Sequence, residues 1–303
     1  MDAARPDRTT LAAFAAVVLA GGSNMVAVRV SDSGLAPFWG ATLRFAIAAG
    51  VVLVILRARR LPLPRGRAFA FAAAYGFLTF GLSFALFYWG VVRVPAGMAG
   101  VVMASTPLLS FLLAVGHRLE PFRWRGLAGA VLAIAGILTI FAGQRGSGAP
   151  IASILAILGS AACAAESGIV LKRAPQTDPV AMNAAAMLVG MPILFALSLV
   201  AHERLPAPAH ASTWAALLFM GLIGTPVLFV LFVFVLDRWT VSATSYQFVL
   251  VPVVAIALAW ALIHEPLTMA LALGSPLVLA GVWVGALAPD RAPVRAGHDA
   301  REG

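Results

Sequence analysis

Arg44 stands inside the apolar run LRFAIAAGVVLVIL at residues 43–56. A guanidinium in such surroundings has two uses. It can form the wall of a polar cavity, or it can hold a ligand carboxylate. Glu166 is the second ionisable group within a long apolar run. It lies six residues before Lys172, and it can take up a proton, face a ligand ammonium, or reach out to water from the end of its helix. Tyr75, Thr79 and Ser83 recur at i, i+4 and i+8, which gathers three hydroxyls on one helical face. Ser23 and Asn24 follow Gly21 and Gly22, and Ser242 and Ser245 precede Tyr246 and Gln247; either set can line a cavity or join helices by hydrogen bonds. Met98 belongs to a group with Met103, Met182, Met187, Met191 and Met220, whose thioethers fill cores or adapt to several apolar ligands. The candidates for binding are therefore Ser23, Asn24, Arg44, Tyr75, Thr79, Ser83, Met98, Glu166, Tyr246 and Gln247. No GxSxG, HExxH or GxxxxGK[ST] pattern occurs, and the five histidines (117, 202, 210, 264 and 298) fall outside the apolar runs. A nucleophile with its base, a metal set or an ATP loop thus has no sequence support, and no cofactor or metal is expected. Cys163 is the single cysteine, so no intrachain disulfide can form.

The elements that position these residues follow from composition. The chain is 61% hydrophobic and 11% charged, with mean hydropathy +0.96, far more apolar than a soluble domain. Ten runs reach the roughly 20 residues that span a bilayer: 10–30, 36–56, 68–91, 96–116, 124–142, 149–171, 180–200, 214–236, 241–263 and 270–287. They lack the period-2 alternation of barrel strands, which predicts an all-α membrane protein. The net charge of +9 is no argument for nucleic acid, because it is distributed by side. With the N-terminus inside, 16 of the 21 Lys and Arg fall on the cytoplasmic side, four on the other, and Arg44 within a span; that bias places both termini in the cytoplasm. The first run imitates a signal peptide but continues to Val28, which predicts a retained span.

Two stretches repeat without a gap. At an offset of 145, Gly76 matches Gly221, Phe84 matches Phe229, Pro107 matches Pro252, Glu120 and Pro121 match Glu265 and Pro266, and Gly129 and Gly136 match Gly274 and Gly281. Each copy holds five helices, so the second copy is inverted relative to the first, a plan common in secondary transporters. The expected organisation is a cytoplasmic N-terminus at 1–9, repeats at 10–142 and 149–287, and a cytoplasmic tail at 288–303. Glu-Pro at each corner is expected to fix the turn into the next helix through its positive N-terminus, or to form a gating contact with Arg118 or Arg123. Pro107 and Pro252 are the symmetric hinge candidates, with a static kink as the other reading. At the same offset the hydroxyl stripe of helix three meets only Met220, Gly224 and Leu228, so an asymmetric ligand is a better reason for it than symmetric packing. The small-residue faces of helices five and ten can pack in the chain or join a second protomer.

The run AGMAGVVMASTPLLSFLLAVGHRLEPFRWRGLAGAVLAIAGILTI at 96–140, its partner from Val241, the GGSN at 21–24 and Arg44 resemble the EamA family of the drug/metabolite transporter superfamily. Within it the chain is most similar to bacterial amino-acid exporters of the YddG type. The resemblance covers nearly the whole chain. It implies ten helices, a central cavity open to one side at a time, and export of small metabolites, amino acids foremost, across the inner membrane. The implied partners are a small-molecule substrate and the lipid bilayer. Two positions depart from the pattern: Gly21 stands where many members have Trp, and Val189, the mate of Arg44 at the common offset, is uncharged. An intramembrane enzyme on lipid-linked or peptide substrates is the alternative, and a membrane scaffold or sensor a third reading.

Overall fold

The computed structural model describes residues 6–31, 34–91, 102–141, 151–263 and 269–287. Among these residues every regular element is helical. In chain order they are α1 (Arg8–Ser31), α2 (Pro37–Ala58), α3 (Arg67–Val91), α4 (Thr106–Gly116), α5 (Trp124–Phe141), α6 (Ile151–Arg173), α7 (Pro179–Val200) and α8 (Ala211–Arg238). Helix α9 comes in two pieces, Val241–Ser245 and Gln247–Ile263, and α10 (Met269–Val282) continues into a π turn, Trp283–Leu287. Helices α1, α2, α3, α6, α7 and α8 are long and apolar enough to cross a bilayer, and the described parts of α4, α5, α9 and α10 are shorter apolar helices. These are the ten runs read from the sequence.

Local chemistry sets the helix ends. Asp178 accepts from the Val180 N–H at 2.8 Å and Pro179 follows it as the first residue of α7, an acid cap with a preset φ. Thr240 Oγ1 accepts from the Ala243 N–H at 3.2 Å to begin α9. Three helices stop in the same way, at Arg60, Arg118 and His202, with φ of 54°, 58° and 52°. The left-handed residue turns the chain back, so that Leu61, Leu119 and Glu203 donate to the Leu56, Ala114 and Ser198 carbonyls, bonds that satisfy otherwise orphaned acceptors. An L residue in this region costs about 1 kcal/mol, which the recovered bonds offset.

The packing repeats about a pseudo-twofold axis. Helix α1 lies on α8 and α9, and its mate α6 lies on α3 and α4. Helices α2 and α7 pack on each other, as do α5 and α10, while α3 on α7 is matched by α8 on α2. Exchanging the two sets of five therefore maps these contacts onto one another. One equivalence is corrected by the structure. A Cβ on Gly76 would meet the Ala186 backbone, and a Cβ on its mate Gly221 would meet Ile47 and the Arg44 carbonyl. Those contacts match only loosely, but α2 and α7 each begin at a proline, Pro37 and Pro179, and run for 22 residues, which pairs Arg44 with Ala186 in place of Val189; the α2–α3 loop, 59–66, is shorter than its equivalent at 201–210.

Small residues close the seam between α5 and α10. A Cβ on Gly129 would lie 2.5 Å from the Gly285 Cα, and one on Gly136 2.6 Å from the Val278 backbone nitrogen. In a bilayer, where lipid competes with side chains for apolar contact, such close backbone approach is what joins helices. The glycine faces of helices five and ten are thus used within one chain. Large apolar side chains such as Val54, Leu138, Leu155 and Leu273 point outward, as a lipid-facing surface requires.

Candidate functional site

Both α3 and α8 widen into a π turn near their middle, at Phe77–Ser83 and Met220–Gly224, a local irregularity that often marks functional positions. Just beyond these turns the repeat mates Phe84 and Phe229 face each other, ring centroids 6.4 Å apart. Phe45 and Phe80 complete the cluster: Phe45 lies 4.8 Å from Phe84 and 5.2 Å from Phe80, and Phe80 lies 4.6 Å from Phe229. The edge-to-face angles suit the ring quadrupoles. The middle of the protein is therefore filled by aromatic rings, where the sequence led us to expect an open pocket. A hollow of only about 10 Å³ lies between α4, α6, α8 and α9, lined by Ser110, Gly168, Phe232 and Ser245 among others.

Two buried polar side chains meet α8 at successive residues, Arg44 beside the plug at Thr225 and Asn24 at Gly224. Arg44 is 5% exposed and donates from Nε to Thr225 Oγ1 at 2.8 Å. Its guanidinium carbon lies 5.2 Å from the Phe45 ring centroid and 5.9 Å from that of Phe84, within cation–π range. Asn24 of α1 packs its amide on Gly224, the residue before Thr225; a Cβ there would come within 2.9 Å of the Asn24 Cγ. Asn24 is 3% exposed, and neither its Oδ1 nor its Nδ2 has a hydrogen-bond partner among the described residues. An amide in that condition costs about 1–3 kcal/mol per unmet group unless a ligand or water completes it. Asn24 lies seven residues before the end of α1, and Arg44 seven after the start of α2, so each is about 11 Å deep from the same face. A fixed cation beside aromatic rings can bind a carboxylate and an apolar group, and a buried amide at the same depth offers an acceptor for an ammonium.

The hydroxyl stripe of α3 divides. Tyr75 donates to Asn183 Oδ1 at 3.4 Å, and Asn183 Nδ2 donates to the Pro179 and Phe229 carbonyls at 2.9 and 3.0 Å. Ser83 donates to the Ser160 carbonyl at 3.1 Å and meets its hydroxyl at 3.0 Å. The ends of the stripe thus fasten α3 to α7 and α6. Thr79, between them, is buried and its hydroxyl has no partner among the described residues.

Other candidates are placed apart from Arg44. Tyr246 lies against Gly285 with its hydroxyl 3.5 Å from the Gly126 carbonyl, and Gln247 is buried beside it, near the face on which the chain begins. Glu166 is on that face too, 3.4 Å from His117 Nε2, with both side chains one-third exposed. Ser23 donates to the Leu19 carbonyl of its own helix at 2.9 Å. Met98, Glu265 and Pro266 lie outside the described residues. Glu120 does not cap the helix after it, as the Glu-Pro corner predicts. It accepts from both the N–H and the hydroxyl of Ser242, because the left-handed turn at Arg118 swings it toward α9. Helix α5 begins at Trp124, so Pro121 is not its first residue. Pro107 is the second residue of α4 and Pro252 is interior to α9; the symmetric hinge pair occupies unlike positions.

Thr225 and Asn183 escaped the sequence reading, as did the four-phenylalanine plug. Asn183, in MNAAAM within an apolar run, carried a usable signal, an amide at membrane depth. Thr225 carried none, since a threonine before Pro226 also reads as a helix start.

Comparison with known proteins was made on this geometry. The chain matches the EamA-like transporter family over residues 8–142 and again over 151–286. It is 30% identical over 262 residues to YedA, an uncharacterised inner membrane transporter of Escherichia coli K12, covering 84% of this chain and 83% of that one. It is 28% identical over 260 residues to a probable terminal-alkyne amino-acid exporter of Streptantibioticus cattleyicolor, covering 80% of each. A probable amino-acid metabolite efflux pump of Escherichia coli K12 is 25% identical over 278 residues, 88% of this chain and 91% of that protein. A solved crystal structure, 22% identical, superposes with a TM-score of 0.78 over 92% of this chain and 98% of the other, a likeness of fold.

Proposed function

The chain belongs to the EamA-like transporter family and is a membrane transporter, not an enzyme; from that premise we propose that it exports amino acids with apolar or aromatic side chains by alternating access. The observation that carries the proposal is the buried Arg44 against the phenylalanine plug, with the buried, unpartnered Asn24 amide one residue along α8 from its anchor Thr225. The names of two relatives, an amino-acid exporter and an amino-acid metabolite efflux pump, support the substrate class. The name of a third supports the inner membrane. The Lys/Arg bias supports a cytoplasmic N-terminal face, with residues 1–9 and 288–303 on that side.

In this mechanism a substrate carboxylate replaces the Thr225 hydroxyl on Arg44, so that the guanidinium meets a full negative charge and can donate two parallel hydrogen bonds instead of facing a neutral acceptor. The Asn24 carbonyl receives the ammonium, which satisfies a group otherwise left unmet. The apolar side chain enters among Phe45, Phe80, Phe84 and Phe229, and the rings part as it does. The halves 10–142 and 149–287 rock about the pseudo-twofold axis, so that the site opens to one side as it closes to the other.

Counterflow of a labelled apolar amino acid into proteoliposomes tests this reading. Wild-type protein is expected to accumulate label, with unlabelled aromatic and branched amino acids competing. Arg44→Ala is expected to lose at least about tenfold in uptake, and Arg44→Lys to recover little, because an ammonium does not reproduce the planar guanidinium fork. Full uptake by Arg44→Ala, or no uptake of any amino acid by folded wild type, would overturn it.

A further inference from the structure

On the N-terminal face, side chains of the first repeat are tied to the second. Glu120, 8% exposed, accepts from the Ser242 N–H at 3.0 Å and from the Ser242 hydroxyl. His117 meets Glu166, and the His117 carbonyl accepts from Arg173 at 2.9 Å. These contacts join the end of α4 to the start of α9 and the end of α6, and the same three helices, through Ser110, Gly168, Val241 and Ser245, line the small hollow.

The repeat lets the opposite face be compared by sequence. At the common offset Glu120 has Glu265 as its mate, but Ser242 has Gly97, which carries no hydroxyl, and His117 has Leu262. The residues of α1 equivalent to Glu166, Gly21 to Ser23, are uncharged. By sequence, the Ser242 hydroxyl, the His117 imidazole and the Glu166 carboxylate thus have no chemical equivalent at the common offset. In a carrier whose two end states exchange the roles of its repeats, contacts available to one state and not the other bias the equilibrium between them.

We propose that Glu120–Ser242, reinforced by His117–Glu166, is a one-sided lock that holds the N-terminal mouth closed in the unliganded carrier. The proposal rests on the export reading, since opening this mouth is the step that admits substrate from the cytoplasm. Glu120 and Ser242 are positioning residues in this scheme, acting on access and not on the substrate.

The test measures access without a substrate. In a Cys163→Ala background, Ser110→Cys places one thiol behind the lock, and a membrane-impermeant maleimide is applied from the N-terminal side of inside-out vesicles. Ser242→Ala and Glu120→Gln are each expected to raise the labelling rate by about tenfold, the effect of losing one hydrogen bond to a charged group. Ser242→Thr keeps the hydroxyl and is expected to label at the parent rate. Glu203→Gln, which weakens a tie on the opposite face to the Phe38 and Trp39 N–H groups, is expected not to raise it. The lock is overturned if Ser242→Ala and Glu120→Gln, monodisperse and melting near the parent temperature, label no faster than the parent. It is equally overturned if Ser242→Thr labels as fast as Ser242→Ala, or if Glu203→Gln accelerates labelling as much. A rise in labelling together with failed amino-acid counterflow keeps the lock and removes the substrate assignment; the reverse pair of results does the opposite.

Discussion

Helices α3 and α8 are repeat mates, and each carries a π turn at the same level, yet their inward faces differ. Tyr75, Thr79 and Ser83 on α3 become Met220, Gly224 and Leu228 on α8. On α3 the hydroxyls at either end of the stripe grip neighbouring helices, Tyr75 through Asn183 and Ser83 through Ser160. On α8 the missing side chain at Gly224 makes room for the Asn24 amide, and Thr225 holds Arg44. One backbone design thus serves as a fastening on one side of the axis and, in the proposed mechanism, as a binding wall on the other. An inverted repeat supplies two equivalent places near the midline, and the proposed substrate, an amino acid with a carboxylate at one end and a side chain at the other, needs them to differ.

Substitutions at the two glycine levels separate the roles, and the largest effect belongs to the fastening side. A Cβ on Gly76 would collide with the Ala186 carbonyl and lie 2.7 Å from its Cα. Backbone cannot swing aside, so α3 and α7 must part. Gly76→Ala is expected to destabilise by about 3 kcal/mol, the upper part of the range for overpacking, seen as a drop of many degrees in the melting of the detergent-purified protein. An unchanged melting temperature would mean that α3 is not clamped there.

At Gly224 the obstacle is a side chain. The added methyl of Gly224→Ala meets the Asn24 amide, which can rotate away, so stability is expected to move by less than about 1 kcal/mol. Counterflow is expected to fall about tenfold as the amide leaves its place, and Asn24→Ala on top of it to cost little more, because both changes remove one interaction. Additive losses would show that Gly224 acts by another route.

The sequence made the helices legible because a bilayer demands long apolar runs, and their ends carried ordinary cap chemistry such as Asp178-Pro179 and Thr240. The duplication was legible from Pro, Glu and Gly at one offset. Which face of each helix turns inward was less so. In water, apolar periodicity identifies the buried face; in lipid, the outer face is as apolar as the core, and polar residues are the main clue. That clue found Arg44 and Asn24, and it also gathered Tyr246, Gln247 and Glu166, which the fold places near the N-terminal face. The partner of Glu120 lies 122 residues away in α9, fixed by a left-handed arginine for which sequence pattern gave no warning. The four phenylalanines of the plug were invisible for the same reason as the inward faces, since phenylalanine suits lipid as well as a core.

The smallest effects sharpen the comparison most, because they differ in sign along one stripe. Tyr75→Phe removes a long hydrogen bond of 3.4 Å and leaves the Asn183 oxygen without its donor, and is expected to destabilise by about 1 kcal/mol. Thr79→Val removes a buried hydroxyl that has no partner among the described residues, replacing it by a methyl of the same shape. The folded protein then buries one polar group fewer at no loss of contact, and the melting temperature is expected to rise by the equivalent of about 1 kcal/mol. A residue kept against its own stability is kept for something else. The same Thr79→Val protein is therefore expected to show an apparent KM raised severalfold at unchanged maximal rate. A rise in stability with KM unmoved would place Thr79 outside the binding wall and confine that wall to the α8 side of the axis.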